Sequence, residues 1–384
     1  MPPLLLDLIF GLIAAFWLFW TSRLSLAMLR GPALPSIERL GAVFETPRVS
    51  VIIAARDEER RIETTVVRLL AQRHVDLELI VVDDRSTDST PEILARLASR
   101  DPRLRTVRVD ALPEGWIAKT HALHLAGSVA TGDWLLFTDA DCWMSEEVVA
   151  RAVRAAQVEK VDHVTISPTQ RKMQLTGKAA SIVFAFALIK NGAGVNQDRR
   201  RSFIGIGAFN LVRTDAWRAL GGHEPLRLEI CDDMKLGLLL SRAGRRTRAY
   251  WGGHDMEVEW AATAGQLVRA IEKNIFAMLR FSVPLVLLAV GINFFLWGGA
   301  LLGPLTGRPA GIAAGLALAT LILPARMVSR RAGWGWLPAL LAPLFFITLA
   351  VAVARSALVT LARGGVRWRD TFYPLAQLRR GVVK

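Results

Sequence analysis

The chain has 384 residues, is 52% hydrophobic and 21% charged, and carries 48 Lys+Arg against 34 Asp+Glu. That length allows two or three domains, and a mean hydropathy of +0.33 excludes a disordered or fibrous chain. The formal charge of +14 invites a nucleic-acid reading, but residues 281–384 hold eleven Lys/Arg against one acid, Asp370, while residues 1–46 are neutral. The excess therefore sits beside apolar segments, which excludes a basic nucleic-acid domain and favours a membrane partner.

Residues 4–20, apolar except for Asp7, read as a transmembrane anchor within 1–30. No basic stretch precedes the run and no small-residue cleavage site follows it, which argues against a signal peptide. Arg23 and Arg30 put the following residues in the cytoplasm and the N-terminus outside. Residues 31–47 read as a linker. The two cysteines, Cys142 and Cys231, build no disulfide framework and no CxxC site, and both read as buried small side chains in a reducing compartment.

From residue 48 the pattern alternates. Residues 49–55 are a buried strand ending in ARDEE. Residues 58–72 carry Ile62, Val66, Leu69 and Leu70 at helical spacing. A second strand, 77–84, ends in Asp83 and Asp84. Thr90 before Pro91 is expected to cap a helix. A third strand at 104–109, a helix at 119–130 and a fourth strand at 133–141 follow. Ser145 is expected to cap the next helix, with Glu146 and Glu147 at the positive end of its dipole.

Alternating strands and helices imply an α/β domain with a mostly parallel sheet, and such sheets bind ligands outside the carboxyl ends of their strands. Asp57, Asp83, Asp84, Asp139 and Asp141 all fall at those ends. Acids gathered on one edge repel one another unless a cation or a ligand joins them. Neither GxGxxG nor GxxxxGK[ST] is present, so the dinucleotide and P-loop readings lack their main support.

VSVIIAARDEE, VVDDRSTDST, Lys119 with Ala122, and LLFTDAD, in that order, resemble the nucleotide-sugar half of family-2 glycosyltransferases with the GT-A, Rossmann-like fold. PEGWIAKTHAL, IGIGAFNLVRTDAW, CDDMKLGLLL and EKNIFA are most similar to the lipid-modifying membrane enzymes of that family, the hopanoid-associated, carotenoid and ceramide types. The resemblance covers about 48–280, with the domain itself at 48–262. It implies that Asp139-Ala140-Asp141 is the metal-binding DxD, with Asp139 and Asp141 on Mg²⁺ or Mn²⁺; hard cations of this kind prefer carboxylate oxygens. It also implies that Asp84 accepts a base N–H, that Asp83 holds the turn, that Asp57 lines the donor pocket and that Lys119 faces the diphosphate. The family often has glycine where this chain has Arg85. Gly207 would lie beneath the acceptor. Asp233 stands at the position of the general base, with Asp232 in place of the usual glutamate and Glu229 nearby as an alternative. His121 and His124 read as packing or surface residues, and His254 is weighed as a third metal ligand but not adopted.

Gln266 and Arg269 resemble a QxxRW motif with Ala270 in place of its tryptophan, which gives Arg269 a substrate-binding role by resemblance. Residues 263–280 form an amphipathic interfacial helix. Three apolar segments follow at about 281–302, 310–325 and 335–354, within a membrane region 281–360, and a basic tail occupies 361–384. The arginines conflict with three full crossings: Arg326, Arg330 and Arg331 want their loop inside, and the tail's arginines and Lys384 want the tail inside too. One segment is therefore expected to be re-entrant or interfacial.

The expected activity is an inverting, metal-dependent transfer of a sugar from a nucleotide-sugar donor, a UDP-hexose, to a membrane lipid. The enzyme would be integral to the inner or plasma membrane with a cytoplasmic catalytic domain. The alternatives are a processive polysaccharide synthase, which needs more spans, and a non-catalytic nucleotide-sugar-binding membrane protein, which would have no need of the acids together.

Overall fold

A computed structural model describes residues 3–41 and 46–383; Lys384 of the predicted tail lies outside the described residues. In chain order the elements begin with α1 (Pro3–Arg30), β1 (Arg48–Ala55), α2 (Ile62–Leu70), β2 (Asp76–Asp84), α3 (Thr90–Ala98) and β3 (Leu104–Val109). Then come α4 (Ala118–Val129), β4 (Trp134–Thr138), β5 (Cys142–Met144), α5 (Val148–Glu159), β6 (His163–Ser167) and β7 (Thr169–Gln170). Next are α6 (Leu175–Val195), β8 (Asn210–Arg213), α7 (Thr214–Ala219), α8 (Asp232–Arg242), β9 (Thr247–Trp251) and β10 (Met256–Val258). The helices α9 (Ala264–Met278), α10 (Val283–Asn293), α11 (Gly299–Leu302), α12 (Pro309–Ala319), α13 (Ile322–Arg331), α14 (Leu337–Leu341) and α15 (Ile347–Arg363) follow. The hairpin β11 (Gly365–Trp368) and β12 (Thr371–Pro374) and the short α16 (Leu375–Arg380) close the series.

These elements form two units. One contains 31–169, 194–259 and 380–384; the other contains 1–30, 170–193 and 260–379. In the first, seven strands form one sheet in the order β3-β2-β1-β4-β8-β6-β9. β3, β2, β1 and β4 are parallel, as alternating β and α segments require. β8 runs antiparallel between β4 and β6, a reversal the sequence pattern does not reveal. Because the sheet is covered on both faces, its inner strands β1, β2 and β4 are almost wholly buried, while the edge strand β3 exposes Arg105, Thr106 and Arg108. Val49, Val51 and Ile53 pack with α2, α3 and α5, while Ile52, Ile80 and Val82 pack with α4, α7 and α8. The carboxyl ends of the parallel strands thus share one edge.

Two expected helix caps find other partners. Thr90 Oγ1 accepts from Glu58 N at 2.8 Å, and Ser145 Oγ donates to Asp255 Oδ1 at 3.1 Å. The helices begin after Ser89 and Glu147, neither of which caps through its side chain. Of the predicted linker, residues 42–45 lie outside the described residues, and residues 32–34 are bound to the end of β9: Leu34 N donates to Trp251 O at 3.2 Å, Trp251 N to Pro32 O at 3.0 Å, and Leu34 is buried.

The second unit is apolar. Among the described residues, five helices are long and apolar enough to cross a membrane: Pro3–Arg30, Leu175–Val195, Val283–Thr306, Pro309–Arg331 and Leu344–Arg363. Leu175–Val195 was expected inside the α/β domain and instead groups with this unit for most of its length. The last helix starts nine residues later than predicted, after Pro343, and runs to Arg363. Gln266 has a local task at the start of α9. Its backbone N–H donates to Thr263 Oγ1 at 3.2 Å while its side chain accepts from Thr263 N at 3.3 Å, a reciprocal capping box.

Candidate active site

The site is assembled at the carboxyl edge of the sheet by three turns and two helix starts. β2 ends in Asp83 and Asp84, both buried. Asp83 Oδ1 accepts from Ser86 N at 3.2 Å and its Oδ2 from Arg108 Nη1 at 3.1 Å, so it holds the turn, as expected. Asp84 takes both arms of the Arg85 guanidinium, at 2.9 and 3.0 Å, with Arg56 at 3.6 Å. Arg85 adopts φ +58°, the left-handed backbone region that glycine occupies without cost. Asp57, at the end of β1 and also left-handed with φ +52°, accepts from Thr87 N at 2.8 Å and ties the first two βα turns together.

β4 ends at Thr138, and Asp139-Ala140-Asp141 forms the turn into β5. A carboxylate oxygen from each of Asp139 and Asp141 and Cys142 Sγ lie within 4.8 Å of one another. Burial and the neighbouring Asp139 push the Asp141 carboxyl up to about 6, although Arg61 sits 3.4 Å away. A divalent cation between these acids would relieve that repulsion, and two carboxylates suit a hard cation, so the residues present fit one. His254 does not join them. β10 pairs antiparallel with β5, Val258 opposite Cys142 and Met256 opposite Met144, which puts His254 beyond the end of the pair away from Asp141.

Lys119, in the first turn of α4, donates to Asp139 Oδ1 at 2.7 Å and lies 3.9 Å from Asp232. Burial opposes its charge, but Asp139, Asp232 and Asp233 outweigh burial and hold the ammonium above the usual lysine range. Asp232 and Asp233 open α8, where the helix dipole favours acids. Asp233 Oδ2 accepts from Gly207 N and Oδ1 from Met234 N, both at 2.7 Å. Burial raises the proton affinity of Asp233, against Lys119 and the two N–H donors.

The small residues before β8 have a steric purpose. A Cβ on Gly205 would stand 1.9 Å from Asp233 O, and one on Gly237 would stand 2.1 Å from Ile204 O. Segment 204–207 therefore lies directly on the start of α8. A Cβ on Gly207 would come 3.0 Å from Asp139 Oδ2, 3.3 Å from Asp233 Oδ2 and 3.5 Å from Lys119 Nζ. Gly207, Asp139, Lys119 and Asp233 thus surround one small volume. Behind it runs a buried polar chain, with His163 bonded to Thr247 at 3.1 Å and to Asn210 at 2.7 Å, and Asn210 Nδ2 donating to Asp233 O at 3.4 Å.

The remaining sequence candidates fall elsewhere. Glu229 is buried, accepts from Val383 N and lies 3.5 Å from Lys235, so the chain itself engages it. His121 and His124 pack around the Trp116 ring, and burial lowers the proton affinity of both. Arg269 is exposed on α9, in the apolar unit. Both cysteines are buried, as expected. The sequence reading missed Arg56, Arg61 and Arg108 as counter-charges to the edge acids. Their acidic partners are far away in sequence; only the ARDEERR stretch after β1 hinted at them.

The sequence profile of Glycosyl transferase family 2 matches residues 50–221, which include most of β1, the three acidic turns, Lys119 and Gly207 but not Asp232 and Asp233. That match spans 172 of the 384 residues and makes the region similar to the family. A 4,4'-diaponeurosporenoate glycosyltransferase of Staphylococcus haemolyticus is 35% identical over 108 residues, 28% of either chain. A beta-monoglucosyldiacylglycerol synthase of a Nostoc species is 31% identical over 170 residues, 41% of this chain and 35% of that protein. The chain thus spans about a third of the length of the curated relatives it matches. Among solved structures, the mannosyltransferase PcManGT from Pyrobaculum calidifontis, in complex with GDP-Man and Mn2+, superposes with a TM-score of 0.55 at 21% identity. That match covers 92% of this chain and 99% of the mannosyltransferase, a likeness of fold.

Proposed function

We propose that this chain is a family-2 glycosyltransferase that moves a hexose from a nucleotide-sugar donor, a UDP-sugar, to the hydroxyl or carboxyl of a membrane lipid with inversion at the anomeric carbon. The observation that carries the reading is the convergence of Asp139, Lys119 and Asp233 around Gly207. It sets a cation and one candidate metal ligand, Asp139, beside a buried carboxylate of raised proton affinity. Asp139 and Asp141 would hold Mg²⁺ or Mn²⁺, which offsets the charge of the departing nucleoside diphosphate. Lys119 adds a fixed positive charge there.

Asp233 takes the acceptor's proton as the acceptor oxygen forms its bond to C1 and the bond from C1 to the diphosphate breaks. Its two backbone N–H donors fix the carboxylate's orientation, and burial makes it a stronger base than an exposed aspartate. Asp232 faces Lys119 and helps keep it charged. Asp84 and Asp57 form the floor for the base, with Arg85 as the group a nucleotide must displace or share.

A lipid acceptor is favoured by the five apolar helices and by the lipid-modifying relatives. The catalytic domain would face the cytoplasm of the inner or plasma membrane, consistent with two buried cysteines that form no disulfide. The test uses the purified full chain with Mg²⁺ or Mn²⁺, a panel of labelled nucleotide sugars and membrane lipid extract. A metal-dependent, lipid-extractable label from one donor is expected. Label that stays in an aqueous polymer, or no transfer from any donor, would count against the proposal.

A further inference from the structure

The five apolar helices cannot all cross a bilayer, because the chain keeps returning to one folded unit. Both flanks of Leu175–Val195 are tied to β9 and the turn after it. Thr169 Oγ1 donates to Gly253 O at 2.6 Å, and Asn196 Nδ2 donates to Ala249 O at 2.8 Å. A helix that leaves and re-enters one unit at such close points does not reach the far side. The C-terminal tail imposes the same condition. Gly381 presses on Leu228, Val383 N donates to Glu229, and Lys235 Nζ donates to Val383 O. Residues 260–379 must therefore cross an even number of times, yet they contain three apolar helices.

α1 provides a ruler for deciding which one does not cross. Asp7 pairs with Arg308, whose Nε donates at 2.7 Å. Phe10 lies against Gly303, Ile13 against Gly299, and Trp17 Nε1 donates to Leu296 O at 2.9 Å. Partner numbers fall as α1 numbers rise, so residues 296–308 run antiparallel to Asp7–Trp17 of α1, and the same apolar helix continues from there to Val283. Thr320 Oγ1 then meets Thr21 at 3.0 Å, and Arg331 Nη2 reaches Met28 O. With Arg308 at Asp7, these contacts carry 309–331 back the full length of α1. Those two helices are complete crossings.

The last helix behaves differently. Pro343 O accepts from Trp297 Nε1 at 2.7 Å, and the Phe346 ring stands edge-on to Trp17 at 5.1 Å. The chain has reached only the level of Trp17, six residues or about 9 Å from Arg23 and ten residues or about 15 Å from Asp7. From there α15 heads back. Arg355 pairs with Glu272 of α9 at 2.7 Å, Arg363 lies 3.6 Å from the same carboxylate, and Ser356 bonds α9 as well. An ion triad midway along a helix is costly in hydrocarbon and ordinary at a surface.

Resting on the membrane reading above, we propose that residues 337–354 form a re-entrant hairpin inserted into a single leaflet, the one on the catalytic side. The chain then crosses three times, through α1, 283–306 and 309–331. The hairpin's partner is the acyl-chain layer of that leaflet, met by the exposed Leu337, Leu340, Leu344 and Val351. Arg326 over the Trp336 ring at 4.5 Å and Lys178 near Trp334 at 5.9 Å are the basic–aromatic pairs of an interfacial belt. This arrangement puts the 326–331 arginines and the tail on one side, and so removes the conflict among the basic residues.

The test is single-cysteine labelling of the full chain in sealed vesicles of both orientations, using a membrane-impermeant maleimide. Cys142 and Cys231 are buried, so the parent protein is the blank. Val158→Cys reports the catalytic side, Leu305→Cys the turn between crossings, Gly335→Cys the hairpin's entry and Arg367→Cys its exit; all four positions are exposed. Cysteines at 158, 335 and 367 are expected to label at least tenfold faster in one orientation, and that at 305 in the other. Labelling of 367 with 305 would make the last helix a full span and overturn the hairpin. Labelling of 335 with 305 would overturn the second crossing. Equal labelling of all four in both orientations, with release of the protein by an alkaline wash, would overturn the membrane reading itself.

Discussion

Gly207 donates its backbone N–H to Asp233 Oδ2 at 2.7 Å, and its α-carbon leaves no room for a side chain between Asp139, Asp233 and Lys119. One glycine thus orients the candidate base and keeps open the space beside the candidate metal ligands. Gly207→Ala must push Asp139 by a few tenths of an ångström. We expect kcat to fall by about 10–10²-fold, since small misplacements of reacting groups are costly, while the thermal midpoint stays near that of the parent. Gly205→Ala should behave differently. Its Cβ would meet backbone at 1.9 Å, so loss of folded protein on size exclusion is expected.

Asp233→Asn keeps the shape and can still accept from Gly207, but it cannot take a proton. Transfer should fall by about 10²–10⁴-fold, the usual range for a positioned base. Donor affinity measured by calorimetry should be unchanged.

Lys119→Met removes the cation that Asp139, Asp232 and Asp233 share. Donor affinity should weaken on the order of 10–100-fold, as for loss of a hydrogen bond to a charged group. Lys119 also lowers the proton affinity of Asp233. The acidic limb of the kcat/KM profile should therefore move to higher pH in this variant, a shift that a merely structural loss would not produce.

Much of the fold and the site is legible in the sequence because both rest on local pattern. Runs such as Val49–Ala55 and Leu77–Val82 are apolar except for Ser50 and Glu78, since both faces of the sheet are covered, and the acids Asp57 and Asp83 follow closely because the chain there meets the ligand edge. What stayed hidden depends on distant partners. Thr90 and Ser145 look like caps until Glu58 and Asp255 claim them. Gln266 looks like part of a sugar-binding motif, and its capping box supplies a local reason for it. α6 escaped notice because Lys178 and Lys190 interrupt its apolar run, and their cation–π contacts with Trp334 and Trp20 lie far away in sequence. The docking of Val383 on Glu229 joins residues 154 apart.

Acidity should affect metal binding and folding separately. The Asp141 carboxyl, pushed up to about 6, must lose its proton to bind a cation. Apparent Mn²⁺ affinity should rise about tenfold per pH unit up to about pH 6 and then level off. Without metal the sign for stability is opposite: the charged carboxylate is disfavoured in the fold, so Asp141 costs stability as pH rises from the ordinary carboxylate range through 6. His163 and His223, buried and lowered to about 4 and about 3, add a second effect. Their neutral forms are native, so stability is lost as pH falls below their ordinary value of 6.5 toward 4. Urea midpoints at fixed pH values, with and without Mn²⁺, separate the two.

The most direct measurement is transfer of labelled sugar into extractable lipid by the full-length protein, run beside Asp233→Asn and Asp141→Ala with donor affinity measured on each. The account predicts metal-dependent label in the lipid phase for the parent, almost none for Asp233→Asn despite normal donor binding, and loss of metal-dependent donor binding for Asp141→Ala. Full transfer by Asp233→Asn, or unchanged metal-dependent donor binding by Asp141→Ala, would contradict it.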